Sequence, residues 1–310
     1  MRLASLRQKL ALSPIARKEL QSRTRGARAY VVLTAYLLIA AGLAMVVYAS
    51  GVVQSEFNPG NNGEVGRFVF YIVVGIQIAL VCIIAPASTS GAIIGERERQ
   101  TYEILLTTLL TPLQIVWGKL ISALSFIGLL VFASLPLAAL AFLLGGIQEA
   151  QIIMGLAIIV ASALLFSTLG LFVSAGAKTT LGAIVVTFIA VLVVLIGIPL
   201  LLVIGQPLLY ALYAPRMITT PGTPPTGLDP AAMLYFMAIC LNPVLSLVFS
   251  LMGFEQSGDL WTIDSRVLPF GYGSSTKFVS PFVVFTLASL LLSVLLFLLT
   301  VRKIRQSAKS

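Results

Sequence analysis

Six stretches of this chain carry no charged residue and are long enough to cross a hydrocarbon core, which takes about 20 apolar residues in a helix. They run from Tyr30 to Ser50, Phe68 to Ile94, Ile121 to Leu144, Ile152 to Ser174, Leu181 to Ile204 and Pro281 to Val301. Inside lipid no water is available to pair with a peptide group, so a crossing segment satisfies its backbone internally, as a helix or in a closed barrel. Barrel strands alternate apolar and polar residues with period two, and runs such as Ala183 to Leu195 show no such alternation. The runs therefore predict six transmembrane helices. Composition agrees: of 310 residues, 58% are hydrophobic and 10% charged, against about 25% charged in an ordinary soluble domain. The fold class read from these features is an all-α integral membrane protein, with residues 1–310 forming a single transmembrane domain.

Charge asymmetry predicts the orientation, because Lys and Arg collect in cytoplasmic loops. Eight basic residues precede Tyr30, three (Arg97, Arg99, Lys119) follow the second run, Lys178 follows the fourth, and four close the chain. With both termini cytoplasmic, 16 of the 20 basic residues lie inside. A seventh crossing puts the tail Arg302, Lys303, Arg305 outside. The additional apolar run Ala231 to Phe254 is accordingly expected to be external, re-entrant or lying on the surface, with its helix broken at Asn242 and Pro243. The chain then divides into a basic leader 1–29, five spans within 30–204 with a cytoplasmic loop at 95–119, an external region 205–280, a sixth span 281–301 and a basic tail 302–310. In the leader, Ser13 and Pro14 read as a helix start, and Ile15, Ala16, Leu20 and Ala27 share a side opposite Arg17, Lys18, Arg25 and Arg28. That pattern predicts an interfacial helix leading into the first span, and the leader fits a membrane anchor better than a cleaved signal peptide. Arg17, Lys18, Arg23, Arg25, Arg28, Arg302, Lys303 and Arg305 are expected to fix topology and meet anionic lipid, at about 1 kcal/mol each near the surface. The net charge of +9 sits on short segments beside spans, so membrane lipid rather than nucleic acid is the expected partner. The expected location is the plasma (inner) membrane, with several passes.

Catalysis finds little support in the residues. The chain has no His, which removes Ser-His-Asp and Cys-His nucleophilic catalysis and His-rich zinc sites. No catalytic residue and no metal ligand set is expected. Cys82 and Cys240 read as small hydrophobes in apolar runs. Proton- and ion-coupled carriers usually place acidic or basic groups within their spans, and all eleven acidic residues lie outside the six runs. A G-x-x-x-x-G-K-[ST] phosphate-cradling loop is also missing; GYGSSTK from Gly271 lacks the Gly before Lys277 and reads as a turn. If transport uses ATP, a separate subunit has to hydrolyse it. Residues alone leave three classes open: an ATP-driven permease, an ion-coupled carrier or channel, and a membrane scaffold for a partner protein.

The stretch from Gly95 to Leu120, GERERQTYEILLTTLLTPLQIVWGKL, is the most distinctive. Glu96, Arg97, Glu98 and Arg99 alternate in sign and are expected to stay in water or pair locally. From Thr101 to Leu110, Ile104, Leu105 and Leu109 make an apolar face with Glu103, Thr107 and Thr108 at its edges. Thr111, Pro112 and Gln114 then spell a helix restart, with Thr111 as N-cap, Pro112 at the first helical position and Gln114 closing a capping box. This predicts a short helix laid across the membrane face between the second and third spans. Farther on, Ser162, Ser167, Gly170, Ser174 and Gly176 are small enough for close helix approach, either between two chains or within one bundle.

The sequence resembles ABC transporter permeases of the type-2 export class. The resemblance is carried in order by Glu96, Arg97, Glu98, Thr101, Glu103, Leu105, Leu106, Thr107, Pro112, Leu113, Gly118 and Lys119. It implies six spans, an amphipathic elbow helix before the first and external helices between the fifth and sixth. It also implies partners: an ATP-binding subunit and a second permease chain, identical or related. On that basis Glu96, Arg97, Glu98, Thr101, Glu103, Leu105, Leu109 and Pro112 form the interface with the ATPase, Thr101 to Leu110 being the coupling helix. No cofactor is expected on this chain; ATP and Mg belong to the partner. Relatives usually carry Gly where Gln100 stands, and Gln there predicts a more continuous helix between the charged cluster and the coupling segment.

Overall fold

The computed structural model describes residues 27–57, 62–100, 111–205, 207, 230–264, 267 and 277–307. The described chain is almost entirely helical. Helix α1 spans Ala27–Phe57, α2 Asn62–Thr89, α3 Ile94–Glu98, α4 Pro112–Leu143, α5 Glu149–Gly176 and α6 Thr180–Leu192. Beyond α6 the same rod continues through a π turn at Val193–Gly197 and helical residues 198–205. Then follow α7 Pro230–Leu241, α8 Pro243–Ser257, a strand pair β1 Thr262–Asp264 and β2 Lys277–Val279, and α9 Pro281–Ser307. Six segments are long and apolar enough to cross a membrane: Tyr30–Gly51, Val65–Glu98, Pro112–Leu143, Glu149–Gly176, Thr180–Gly205 and Pro281–Gln306. We call these spans one to six. Large side chains such as Leu38, Phe132, Leu143 and Leu291 are exposed on them, an arrangement that lipid tolerates and water does not. The protein is an all-α integral membrane protein.

Two compact units divide the chain, one drawn from Met1–Ile147, Ala163–Phe188 and Leu292–Ser310, the other from Gln148–Ser162 and Ile189–Leu291. In the first, α2 packs on α4 and α1. Tyr36, Ala40 and Leu130 are buried at the centre of that packing, with Ile76, Leu80 and Phe126 around them. Span three begins at Pro112, well before the charge-free run at Ile121, because Thr111 caps it. The Thr111 N–H donates to Gln114 Oε1 at 2.9 Å while Gln114 N–H donates to Thr111 Oγ1 at 3.4 Å, the full capping box.

In the second unit α7 and α8 meet at 114°. Pro243 has no N–H to give an α7 carbonyl, and Asn242 starts α8 by accepting from Val244 N and Leu245 N at 2.9 and 3.0 Å. That is the usual N-cap chemistry followed by Pro at the first helical position. Gly258 closes α8 in the left-handed region at φ 68°, where its lack of a Cβ matters. The strands pair antiparallel, Ile263 opposite Phe278, and Ile263 turns inward onto Phe236 and Cys240. Ser250 Oγ accepts the N–H of Phe282 at 2.8 Å, so one otherwise orphaned donor at the start of α9 is satisfied by α8. Both cysteines are free and buried.

Candidate functional site

Helix α2 stops at Thr89, the chain turns through 90–93, and α3 begins with no side chain of its own to cap it. The missing cap comes from another span. Ser174 Oγ on α5 accepts both Ile93 N–H at 3.0 Å and Ile94 N–H at 3.1 Å. Such close approach depends on Gly170 one turn earlier, where a Cβ would collide with Thr89 Oγ1 and Ser90 N. The small residues of span four are thus used, at Gly170 and Ser174, for packing within the chain.

Charge organises the next layer. Lys119, on the first turns of α4, is only 4% exposed and donates from Nζ to Glu96 Oε1 at 2.7 Å and Ala92 O at 2.8 Å. A buried ammonium is tolerated only with such partners, since desolvation alone disfavours it by several kcal/mol (roughly). Two residues further along α3, the Glu98 carboxylate accepts Thr180 N–H at 2.7 Å and Thr180 Oγ1–H at 2.6 Å. It therefore serves as an N-terminal cap for span five, supplied from the end of α3, 82 residues away in sequence. Beneath these polar contacts lies an apolar cluster of Ile93, Val116, Leu120, Leu171, Ala175 and Ile304, flanked by Phe297 and Val301. Trp117 meets Phe297 edge-on at 5.7 Å between centroids, and Lys303 Nζ sits 5.2 Å over the Phe172 ring. The end of span two, the start of three, the end of four, the start of five and the end of six all contribute to one junction.

From this junction the chain leaves and returns at two set points. It leaves at Gln100, whose φ of 58° is left-handed, after Arg99 N–H has bonded Gly95 O at 3.2 Å and Gln100 N–H has bonded Arg97 O at 3.1 Å. It returns at the Thr111 capping box. The continuous helix expected from Gln at position 100 does not form. The helix ends at Glu98 and the backbone makes the glycine-type bend with glutamine in place, because the junction fixes α3 on one side and the cap fixes α4 on the other.

A family model described as ABC-2 family transporter protein matches residues 13–300. The chain belongs to the ABC-2 family of transporter proteins. No curated protein matches it. The protein is accordingly a multi-pass permease of the ATP-binding cassette class, a membrane subunit of the non-catalytic kind, and the plasma membrane is the usual place for its family.

Within this ABC-2 permease the residues picked from sequence fall into three groups. Glu96, Glu98 and Pro112 belong to the junction, with Arg97 exposed beside them. Glu96 and Glu98, read from sequence as contacts for an ATPase, are engaged by Lys119 and Thr180 of their own chain. Thr101, Glu103, Leu105 and Leu109 lie outside the described residues, as do Arg17, Lys18, Arg23 and Arg25; of Arg28 only the backbone is described. Arg302 and Arg305 are exposed on the last turns of span six and Lys303 is half-buried against Phe172. Asn242 and Pro243 belong to the second unit. Sequence reasoning did not find Thr180, and it gave Ser174 no role beyond its size. A Thr preceding an apolar run hints at a helix start; nothing local says that a distant glutamate completes it.

Proposed function

We propose that this ABC-2 permease is the membrane half of an exporter driven by a separate ATP-binding subunit, which grips residues 101–110. The observation that carries this reading is the junction itself. In sequence the segment 101–110 connects two fixed points, Gln100 and Thr111, and both belong to a frame that joins the ends of spans two to six. A push on that segment reaches five spans at once, as a drive shaft for alternating access requires. Leu105 and Leu109 supply the apolar face for an ATPase groove and Glu103 its charged contact. Glu96 and Glu98 keep the frame stiff. Two permease chains, identical or related, pair in the membrane. ATP and Mg bind the partner ATPases, whose closure moves both coupling segments. Both termini and the loop 95–119 face the cytoplasm, the leader lies at the interface as an elbow, and 205–280 faces outward.

The test is a double substitution, Leu105→Asp with Leu109→Asp, in the full permease expressed with its ATPase. Co-purification of the ATPase is expected to be lost, while the permease still inserts and elutes as a folded species. An intact complex overturns the assignment of the grip to residues 101–110, and flux that proceeds without nucleotide overturns the reading in favour of an ion-coupled carrier.

A further inference from the structure

Span five holds an unusual element that the coupling reading does not use. At Val193–Gly197 the helix widens into a π turn, with Ile198 N–H bonded five residues back to Val193 O. Such turns insert one extra residue into an α-helix and are often found at functional sites. The next residue but one is Pro199, which has no N–H. In the π register the carbonyl that Pro199 leaves unpaired is that of Val194; in an α register, with bonds four residues back, it is that of Leu195. One group faces both carbonyls. Asn242 Nδ2 donates to Val194 O at 2.7 Å and to Leu195 O at 3.3 Å. Asn242 is 0% exposed, and its Oδ1 is fully used in capping α8. In a bilayer no water can pair an orphaned carbonyl, so the placement of this donor decides which register the helix adopts.

We infer that span five is a two-register helix whose pivot is the Asn242 amide, carried on the α7–α8 break. With the amide seated on Val194 O, the π turn is held. When the break shifts, or the amide moves across to Leu195 O, the π turn gives way to the intrinsically favoured α-helix. Every residue beyond it then advances by one position, a turn of about 100° and a shift of about 1.5 Å. Leu202, now 6% exposed and packed with Tyr235 and Ile239, gives its place to Leu201, which is 68% exposed. A small displacement of the bent pair is thereby converted into a twist of the far end of span five. Asn242 is a positioning residue in this device, and Pro199 makes it bistable.

Register is readable by cross-linking within the purified permease, with no partner and no substrate. In a background with Cys82→Ala and Cys240→Ala, one chain carries Leu202→Cys with Ile239→Cys and another carries Leu201→Cys with Ile239→Cys. Oxidation followed by alkylation and intact mass counts the cross-linked fraction. The 202/239 pair is expected to dominate with Asn242 and Pro199 in place. Asn242→Ser keeps an N-cap acceptor but is too short to reach span five, and Pro199→Ala supplies an N–H that can pair either carbonyl, so the register no longer depends on the Asn242 amide and falls to the intrinsically favoured α-helix. Each is expected to move the yield severalfold toward the 201/239 pair. An unchanged ratio in both variants overturns the proposal. If one variant aggregates, the other still reads the register; aggregation of both assigns Asn242 and Pro199 to the integrity of the fold and overturns it as well.

Discussion

Lys119 is buried in a place that lipid and apolar side chains would otherwise fill, and it donates there to two oxygens. The Glu96 carboxylate is the ionic partner and Ala92 O the neutral one. Removing one member of a buried pair is more damaging than removing both, because it strands the other. Glu96→Ala removes the ionic partner and keeps the bond to Ala92 O. Truncation of one partner in a fully buried pair costs about 3–5 kcal/mol, and with Glu96 28% exposed we expect about 2 kcal/mol here. The double change Glu96→Gln with Lys119→Met removes the charge altogether and is expected to be milder than Glu96→Ala by itself. Thermal unfolding of the purified permease in detergent, read as a double-mutant cycle, measures both. A double variant weaker than the single one would show that the pair contributes packing rather than charge compensation.

Helices were the most legible level of this protein and their junctions the least. The six spans are visible because a bilayer demands apolar length in one continuous helix, whereas the run Ala231 to Phe254, although long enough, is broken at Asn242 and Pro243. The α4 cap is visible because Thr111, Pro112 and Gln114 are neighbours in sequence. A rule that ends a span at its first charge nevertheless places the third span's start at Ile121, whereas α4 begins at Pro112 with Lys119 buried inside it. The pairing that permits this lies 23 residues upstream. Ser174 on α3 and Glu98 on α6 are longer-range still, and a single hydroxyl or carboxylate that caps a distant helix leaves no periodicity to detect. Pro199 in the fifth run is a local mark of an orphaned carbonyl, but its partner Asn242 is 43 positions on, so the π turn was beyond reach. At Gln100 local preference favours a continuing helix and tertiary constraint prevails. A non-glycine residue at φ 58° carries a left-handed penalty, so Gln100→Gly is expected to stabilise the permease by about 0.5–1 kcal/mol net of glycine's extra unfolded-state entropy. Gln100→Ala, which keeps the Cβ, is expected to give no gain. A lower unfolding midpoint for Gln100→Gly than for Gln100→Ala would contradict a left-handed bend at that position.

At the scale of the whole chain, the junction also counts crossings. Span five starts at Thr180 beside Glu98, and span six ends with Ile304 in the cluster of Ile93, Val116 and Ala175. A chain that departs through span five and returns to the same junction through span six has crossed the bilayer twice. If spans five and six each cross once, the α7–α8 pair between them is expected to make no net crossing, and its 114° bend at Asn242 is compatible with an apolar segment that enters and leaves one face. The basic residues point the same way, since an extra crossing would expel Arg302, Lys303 and Arg305 from the side where most Lys and Arg collect. Reporter fusions test this directly. Green fluorescent protein after Ser310 is expected to fluoresce and alkaline phosphatase at that site to stay inactive, whereas phosphatase inserted after Gly222 is expected to be active. Phosphatase activity at both sites would make α7–α8 a seventh crossing and separate the tail from the loop after span two. The packing of Ile304 and Lys303 against Ile93 and Phe172 would then be impossible in a membrane. The experiment thus tests the junction as much as the topology, because the contacts that collect five spans there require their ends to share one face.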